Sequence, residues 1–255
     1  MEVIDQLLLF IVSTVANTFS AYAGGGAGLL QLPALIFLGL PFGVALATHK
    51  IASVALGIGA AIRHAREKKL RWEFGLFILL TGVAGVIPGA TFILEVPENL
   101  ANLALGLMTV ALAIYSWKRP DLGINSSIRH HDLPGYVIGG GGLVLIGFLN
   151  GSLTSGTGLF CTLWLVRWFG LDYKLAVAYT LVIVGIFWNG SGAITLSLLG
   201  TVKWSWLPVL LLGSALGGYL GAHLAIRSHN RSIKTAFELV TLITGLALIF
   251  KSMTT

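Results

Sequence analysis

"AYAGGGAGLLQLP", residues 21–33, decides how the rest of the chain is read. Three consecutive glycines, then Gly28 and Pro33, interrupt an apolar region. In a helix interior glycine costs about 1 kcal/mol and proline about 3 relative to alanine. The surroundings make the break more demanding. The chain is 56% hydrophobic and only 10% charged, whereas soluble domains carry about 25% charged residues. Such a composition, with long apolar runs, predicts an all-α polytopic membrane protein. In hydrocarbon a broken helix is tolerated only where protein or a water-filled site satisfies its freed N–H groups. The break therefore marks a site.

The remaining composition narrows the class. "MEVIDQLLLF" has no basic leader, so a retained first helix is expected rather than a cleaved signal. A single cysteine, Cys161, excludes an intrachain disulfide and cysteine-cluster zinc, and no cofactor or metal is expected. The net charge of +6 resides largely in "RHAREKKLR", "KRP" and "RSHNRSIK", between apolar runs. Cytoplasmic loops have this pattern, so the partner is the lipid bilayer of the cell inner (plasma) membrane, not nucleic acid.

Apolar segments fall near residues 3–23, 29–39, 43–62, 73–94, 100–117, 134–153, 159–169, 175–198, 205–226 and 234–251. Spanning takes roughly 20 residues, so 29–39 and 159–169 are too short. They occupy matching places in a repeat. "FLGLPFGVALAT" lies over "WFGLDYKLAVAYT", and "LRWEFGLFILLTGVAGVIPGA" over "VKWSWLPVLLLGSALGGYLGA". Trp72 then matches Trp204, Gly85 matches Gly217, Gly89 matches Gly221, and "AGGGAGLL" falls over "LTSGTGLF". The expected domains are a first repeat, 1–117, a cytoplasmic linker, 118–133, and a second repeat, 134–255.

Loop charge gives the relative orientation. Loop 63–72 is basic and its counterpart 197–203 nearly neutral. Loop 94–99 is acidic and its counterpart 226–234 basic. The halves therefore face opposite ways. Each is expected to hold a Gly-rich broken, re-entrant hairpin plus three full transmembrane helices, an odd number that inverts the next half. Loops 63–72, 118–133, 167–174 and 227–234 are then inside and both termini outside. Inverted repeats with paired, interrupted short segments are the sequence sign of a secondary transporter.

The pattern "GGGAGLLQLPALIFLGLPFGVALATHKIASVALGIGAAIRH", echoed as "TSGTGLFCTLWLVRWFGLDYKLAVAYT", resembles the TauE/SafE family of sulfite exporters over almost the whole chain. The resemblance implies transport of a small sulfur-containing anion, sulfite or an organosulfonate such as sulfoacetate. Two features depart from that pattern. "TSGTG" puts hydroxyls where glycines are expected, and "THK" puts a cation where small residues are expected.

Lys50 is the strongest single signal. It lies about eight residues into segment 43–62, roughly 12 Å deep at 1.5 Å per residue. Burying it costs about 2.5–3.5 kcal/mol on insertion scales, and no acidic residue lies deep in a segment to offset that. It is read as an anion-binding group, against a snorkelling or neutral lysine. His49, its neighbour, lies about 100° around the helix. It is read as a proton-coupling group or a packed structural histidine, with protons as the coupling ion in the first case. Gly24, Gly25, Gly26 and Gly28 form one backbone nest, and Thr154, Ser155, Gly156, Thr157 and Gly158 the other, against close helix packing as the bland alternative. N–H groups at such helix starts hold anions. Tyr179 and Asn189 join them as substrate-binding candidates. Asn17, Gln31, Asn150 and Thr180 are further polar groups in apolar segments. His130, His131 and Asp132 fall in the linker, where a solvated loop is expected.

No GxxxxGK[ST] motif occurs, so ATP-driven transport is not expected. Three classes compete. The first is a secondary transporter working by alternating access, with a homo-oligomer left open as its assembly. The second is an anion channel of the same fold. The third is an intramembrane serine hydrolase pairing Ser155 with His223, disfavoured because Leu153 occupies the first glycine position of a G-x-S-x-G elbow.

Overall fold

A computed structural model describes residues 3–25, 27–29, 31–67, 69–92, 98–153 and 156–254. All regular structure in them is helical: α1 (Val3–Ala23), α2 (Gln31–Phe37), α3 (Phe42–His64), α4 (Trp72–Phe92), α5 (Glu98–Trp117), α6 (Leu133–Leu153), α7 (Thr157–Arg167), α8 (Tyr173–Tyr179), α9 (Asn189–Leu199), α10 (Leu207–Arg227) and α11 (Asn230–Thr254). A nine-residue π-helix, Thr180–Trp188, joins α8 to α9. Tyr173–Leu199 is thus one rod of 27 residues.

Among the described residues seven helices are long and apolar enough to cross a membrane: α1, α3, α4, α6, the α8–α9 rod, α10 and α11. The short segments are short here too, seven residues in α2 and 11 in α7. The distribution of side chains is that of a protein dissolved in lipid. Ile4, Leu145, Leu212, Ile243 and Phe250 are each more than 60% exposed, while Lys50, Asn17 and Ser214 are fully buried. A water-exposed surface carrying so many large apolar groups would aggregate. Against lipid it costs nothing.

With no hydrophobic drive between helices in lipid, close backbone approach holds them together. Glycines provide it at equivalent places. A Cβ at Gly85 would fall 2.0 Å from the Val144 carbonyl oxygen, and one at Gly89 2.1 Å from that of Phe148, so α4 lies tight on α6. Gly217 and Gly221 stand likewise against Thr14 and Thr18, at 2.5 and 2.3 Å, so α10 lies tight on α1. Both pairs run parallel. The α3 helix runs antiparallel to the α8–α9 rod, with Gly57 against Gly185 and Lys50 against Asn189 and Gly192. The α5 helix runs antiparallel to α11, with Gly106 against Gly245 at one end and Ser116 bonded to Glu238 at the other.

Hydrogen bonds gather four connections at one end of the bundle. Tyr179 accepts from Arg71 N at 2.7 Å, Tyr173 N donates to Gly123 O at 2.9 Å, and Asn230 links Ile124 O to Lys174 N. The segment 118–133, expected to be a solvated linker, is mostly exposed and is at the same time docked as a strap. Ser127 N donates to Gly170 O and Arg129 N to Phe169 O. His130 stacks on Trp168 at 4.3 Å. His131 sits among Phe74, Tyr136 and Phe169, where burial, then the charge of Arg71, lowers its pKa. These backbone bonds leave no trace in composition.

Candidate functional site

At the end of α1, the N–H groups of Gly24 and Gly25 both turn back to Ser20 O, at 2.9 and 2.8 Å. Both glycines have positive φ, +89° and +145°, which side chains rarely adopt. A Cβ at Gly25 would also fall 2.6 Å from the Leu159 nitrogen and 2.7 Å from Gly158 C. The first Gly-rich break therefore touches the second, backbone to backbone. Thr162 reinforces the contact by donating to Gly24 O at 2.8 Å, with the Thr180 hydroxyl 2.9 Å away. On the second break Gly156, at φ +76°, precedes α7 and starts that helix at Thr157.

Between the breaks lies a cavity of about 50 Å³. One water needs roughly 10–15 Å³ by such a measure, so several waters or one small oxyanion fit. Its polar lining comes from Ser20, His49, Ser53, Asn150, Thr180 and Asn189, with Thr157, Gly158, Gly25 and Gly28 from the two breaks. The repeat expected from the sequence would set several lining residues opposite one another: Ser20 and Asn150, Ala27 and Thr157, Gly28 and Gly158, and His49 and Thr180.

Lys50 stands behind this chamber. Its ammonium donates to Asn150 O at 2.6 Å, Asn150 Oδ1 at 2.9 Å and Asn189 Oδ1 at 3.4 Å. Gly192 leaves room for the head group; a Cβ there would stand 3.3 Å from Nζ. Three oxygens of α6 and α9 thus surround the Lys50 head group. The ammonium has only donors, so it fixes how both carboxamides point. Their oxygens face Lys50. Asn150 Nδ2 accordingly donates to Thr157 Oγ1 at 2.9 Å.

His49 is turned to the chamber, a quarter-turn from Lys50. Its Nδ1 is 2.7 Å from Gln31 Oε1, and Gln31 Nε2 donates to Ser13 at 2.8 Å. The amide orientation makes Nδ1 the protonated nitrogen and leaves the Nε2 lone pair beside Ser53, at 3.2 Å. Gln31 and Asn17 belong to a buried knot with Ser13 and Ser214 that fastens α1, α2 and α10. Tyr179 lies elsewhere, bonded to Arg71 and edge-on to Phe74 at 5.2 Å. Gly24 packs against Thr162 and Val177. Gly26, Thr154 and Ser155 lie outside the described residues. His223 accepts from Arg63 Nε at 3.1 Å.

Sequence reasoning passed over Ser20 and Ser53. Ser20 was signalled by the repeat, which sets it opposite Asn150, and Ser53 by its place one turn beyond His49. Nothing in "TLVIVGIFW" announces the π-helix that carries Thr180, Leu181, Val184 and Gly185 to the chamber. Such wide turns recur at functional sites.

A multi-pass helical bundle with a polar chamber where two broken helices meet defines a membrane transport protein in class. More specifically, the chain belongs to the family described as sulfite exporter TauE/SafE, whose pattern it matches over residues 9–248. It is similar to a probable membrane transporter protein, ORF9, of Sinorhizobium sp, 27% identical over 94% of this chain and 91% of that one. It is also similar to the probable membrane transporter protein YfcA of Escherichia coli K12, 27% identical over 96% and 90%. A probable membrane transporter protein of Haemophilus influenzae is 29% identical over 91% and 89%. No solved structure matches. The family is one of transporters, not enzymes.

Proposed function

We propose that the protein is a secondary transporter of a small sulfur-containing anion, sulfite or an organosulfonate such as sulfoacetate, bound in the chamber between the two Gly-rich breaks. The observation that carries the reading is the contact of those breaks around one polar cavity with a buried cation behind it. Thr157 and Gly158 open α7, and N–H groups at a helix start favour an anion. Lys50 supplies the compensating charge and, by holding the carboxamide oxygens, turns the Asn150 and Asn189 N–H groups away from itself. Direct contact between Nζ and the anion is not required. His49, with its Nε2 lone pair on the chamber, is the group through which a proton accompanies the anion.

The same reading makes residues 1–117 and 134–255 two inverted repeats joined by 118–133. The equivalent helices α3 and α8–α9 run antiparallel, as do α5 and α11, and the α4–α6 contact is repeated as α10–α1 on matching glycines. These features support a two-fold relation in which the halves rock about the chamber, in the cell inner (plasma) membrane. Purified protein should be screened by thermal shift against sulfite, sulfate, thiosulfate, sulfoacetate and taurine. A saturable shift with a sulfur anion is expected, and none with any of them would contradict the proposal. A channel of the same fold would instead pass anions without saturation or coupling.

A further inference from the structure

Away from the chamber, three arginines converge on a cleft at the end of the bundle. We propose that this cleft binds a phosphoryl group, either the headgroup of an anionic phospholipid or free phosphate. The cleft measures about 410 Å³ and lies between the end of α5, the strap and the end of α7. Arg119, Arg129 and Arg167 line it, together with Tyr115, Ser127 and one carboxylate, Asp121. Among the described residues none of the three arginines forms an ion pair.

Each of these exposed arginines nevertheless meets a neutral partner. Arg167 donates through Nε to the Tyr115 hydroxyl, and Arg129 through Nε to Ser127 Oγ at 2.7 Å. Arg119 stands over the Tyr115 ring, 5.9 Å from its centroid. Tyr115 thus meets two of the three. Where Nε is engaged with a neutral oxygen, the terminal nitrogens remain for a ligand. A planar fork with paired donors suits phosphate oxygens far better than a point charge does. Three cations against one carboxylate leave the cleft with net positive charge, which a phosphate diester or monoester offsets.

Its height fits a lipid headgroup. Trp117, one turn from the cleft at the end of α5, is 73% exposed, as tryptophans at the membrane–water interface are. Basic pockets between helices at that level take anionic headgroups. A ligand there would bridge α5 to the strap and α7, and so join the first part of the chain to the second. This inference is independent of which substrate the chamber holds.

The test uses the full chain in detergent, titrated separately with phosphatidylglycerol, phosphatidylcholine and inorganic phosphate, and read by native mass spectrometry and melting temperature. The proposal expects phosphatidylglycerol or inorganic phosphate to bind and stabilise while phosphatidylcholine does not. Binding of phosphatidylglycerol alone assigns the lipid as source, and binding of inorganic phosphate as well assigns the phosphoryl group itself. Arg119→Gln/Arg129→Gln/Arg167→Gln should weaken the effect at least tenfold. Arg66→Gln/Lys69→Gln/Arg231→Gln, which removes as much charge elsewhere, should leave it within twofold. Should the cleft triple variant fail to fold, Arg129→Gln alone, on the exposed strap, should still weaken binding several-fold. Equal losses in the two triple variants, wild-type affinity in the cleft variants, or no binding of either phosphate source would overturn the proposal.

Discussion

Lys50 and Gly25 are the residues on which the chamber depends, for different reasons. Lys50 ties α3 to α6 and α9 through three acceptors. Lys50→Met removes their shared donor and should lower stability by about 1–3 kcal/mol. Lys50→Gln keeps a donor but loses the charge, so it separates the two roles. It should melt nearer the wild type and bind the sulfur anion at least tenfold more weakly, about 1.4 kcal/mol. Wild-type affinity in Lys50→Gln, measured by titration, would place the compensating charge elsewhere. Gly25→Ala puts a methyl group against Leu159 N and strains a φ of +145°. It should abolish anion binding while part of the protein stays monodisperse on size exclusion; unchanged binding would mean the two breaks need not touch. The sequence already marked both residues, Lys50 by its depth and Gly25 by its place in the glycine run. What it did not mark was the direction of the Lys50 head group, because that depends on which helices lie beside α3.

At the scale of elements, the spans and the two short segments were legible, since hydropathy and length are direct properties of the sequence. The strap and the π-helix were not. The strap docks through backbone N–H and C=O groups that every residue has, and "TLVIVGIFW" satisfies an α-helix as well as a π-helix. The α8–α9 rod is held by Trp188, whose indole donates to Ile78 O at 3.1 Å beside Gly82. A Cβ at Gly82 would fall 1.7 Å from that ring. Gly82→Ala should therefore displace the indole, lowering stability by about 1–3 kcal/mol and shifting tryptophan emission. Gly43→Ala, where a Cβ meets nothing within 4 Å, is the control and should change neither. Equal effects from the two substitutions would remove the role given to this contact.

For the whole molecule, matched glycines and tryptophans are the argument for the proposed repeat, and loop charge is the argument for its inversion. The matched contacts of Gly85 with Val144 and of Gly217 with Thr14 agree with the first. The second is a matter of which side each loop faces. The only native cysteine, Cys161, is buried, so introduced thiols report cleanly. Cysteines at Lys69 and Thr201, both exposed, should label from opposite sides of the membrane; labelling from one side would refute inversion. Transport itself is tested most directly by flux of radiolabelled sulfite into proteoliposomes containing the wild type, Lys50→Gln or no protein. The account predicts uptake that saturates with sulfite concentration in the wild type and falls at least tenfold in Lys50→Gln. Sulfite uptake no faster than in empty liposomes, or equal in the wild type and Lys50→Gln, would contradict it.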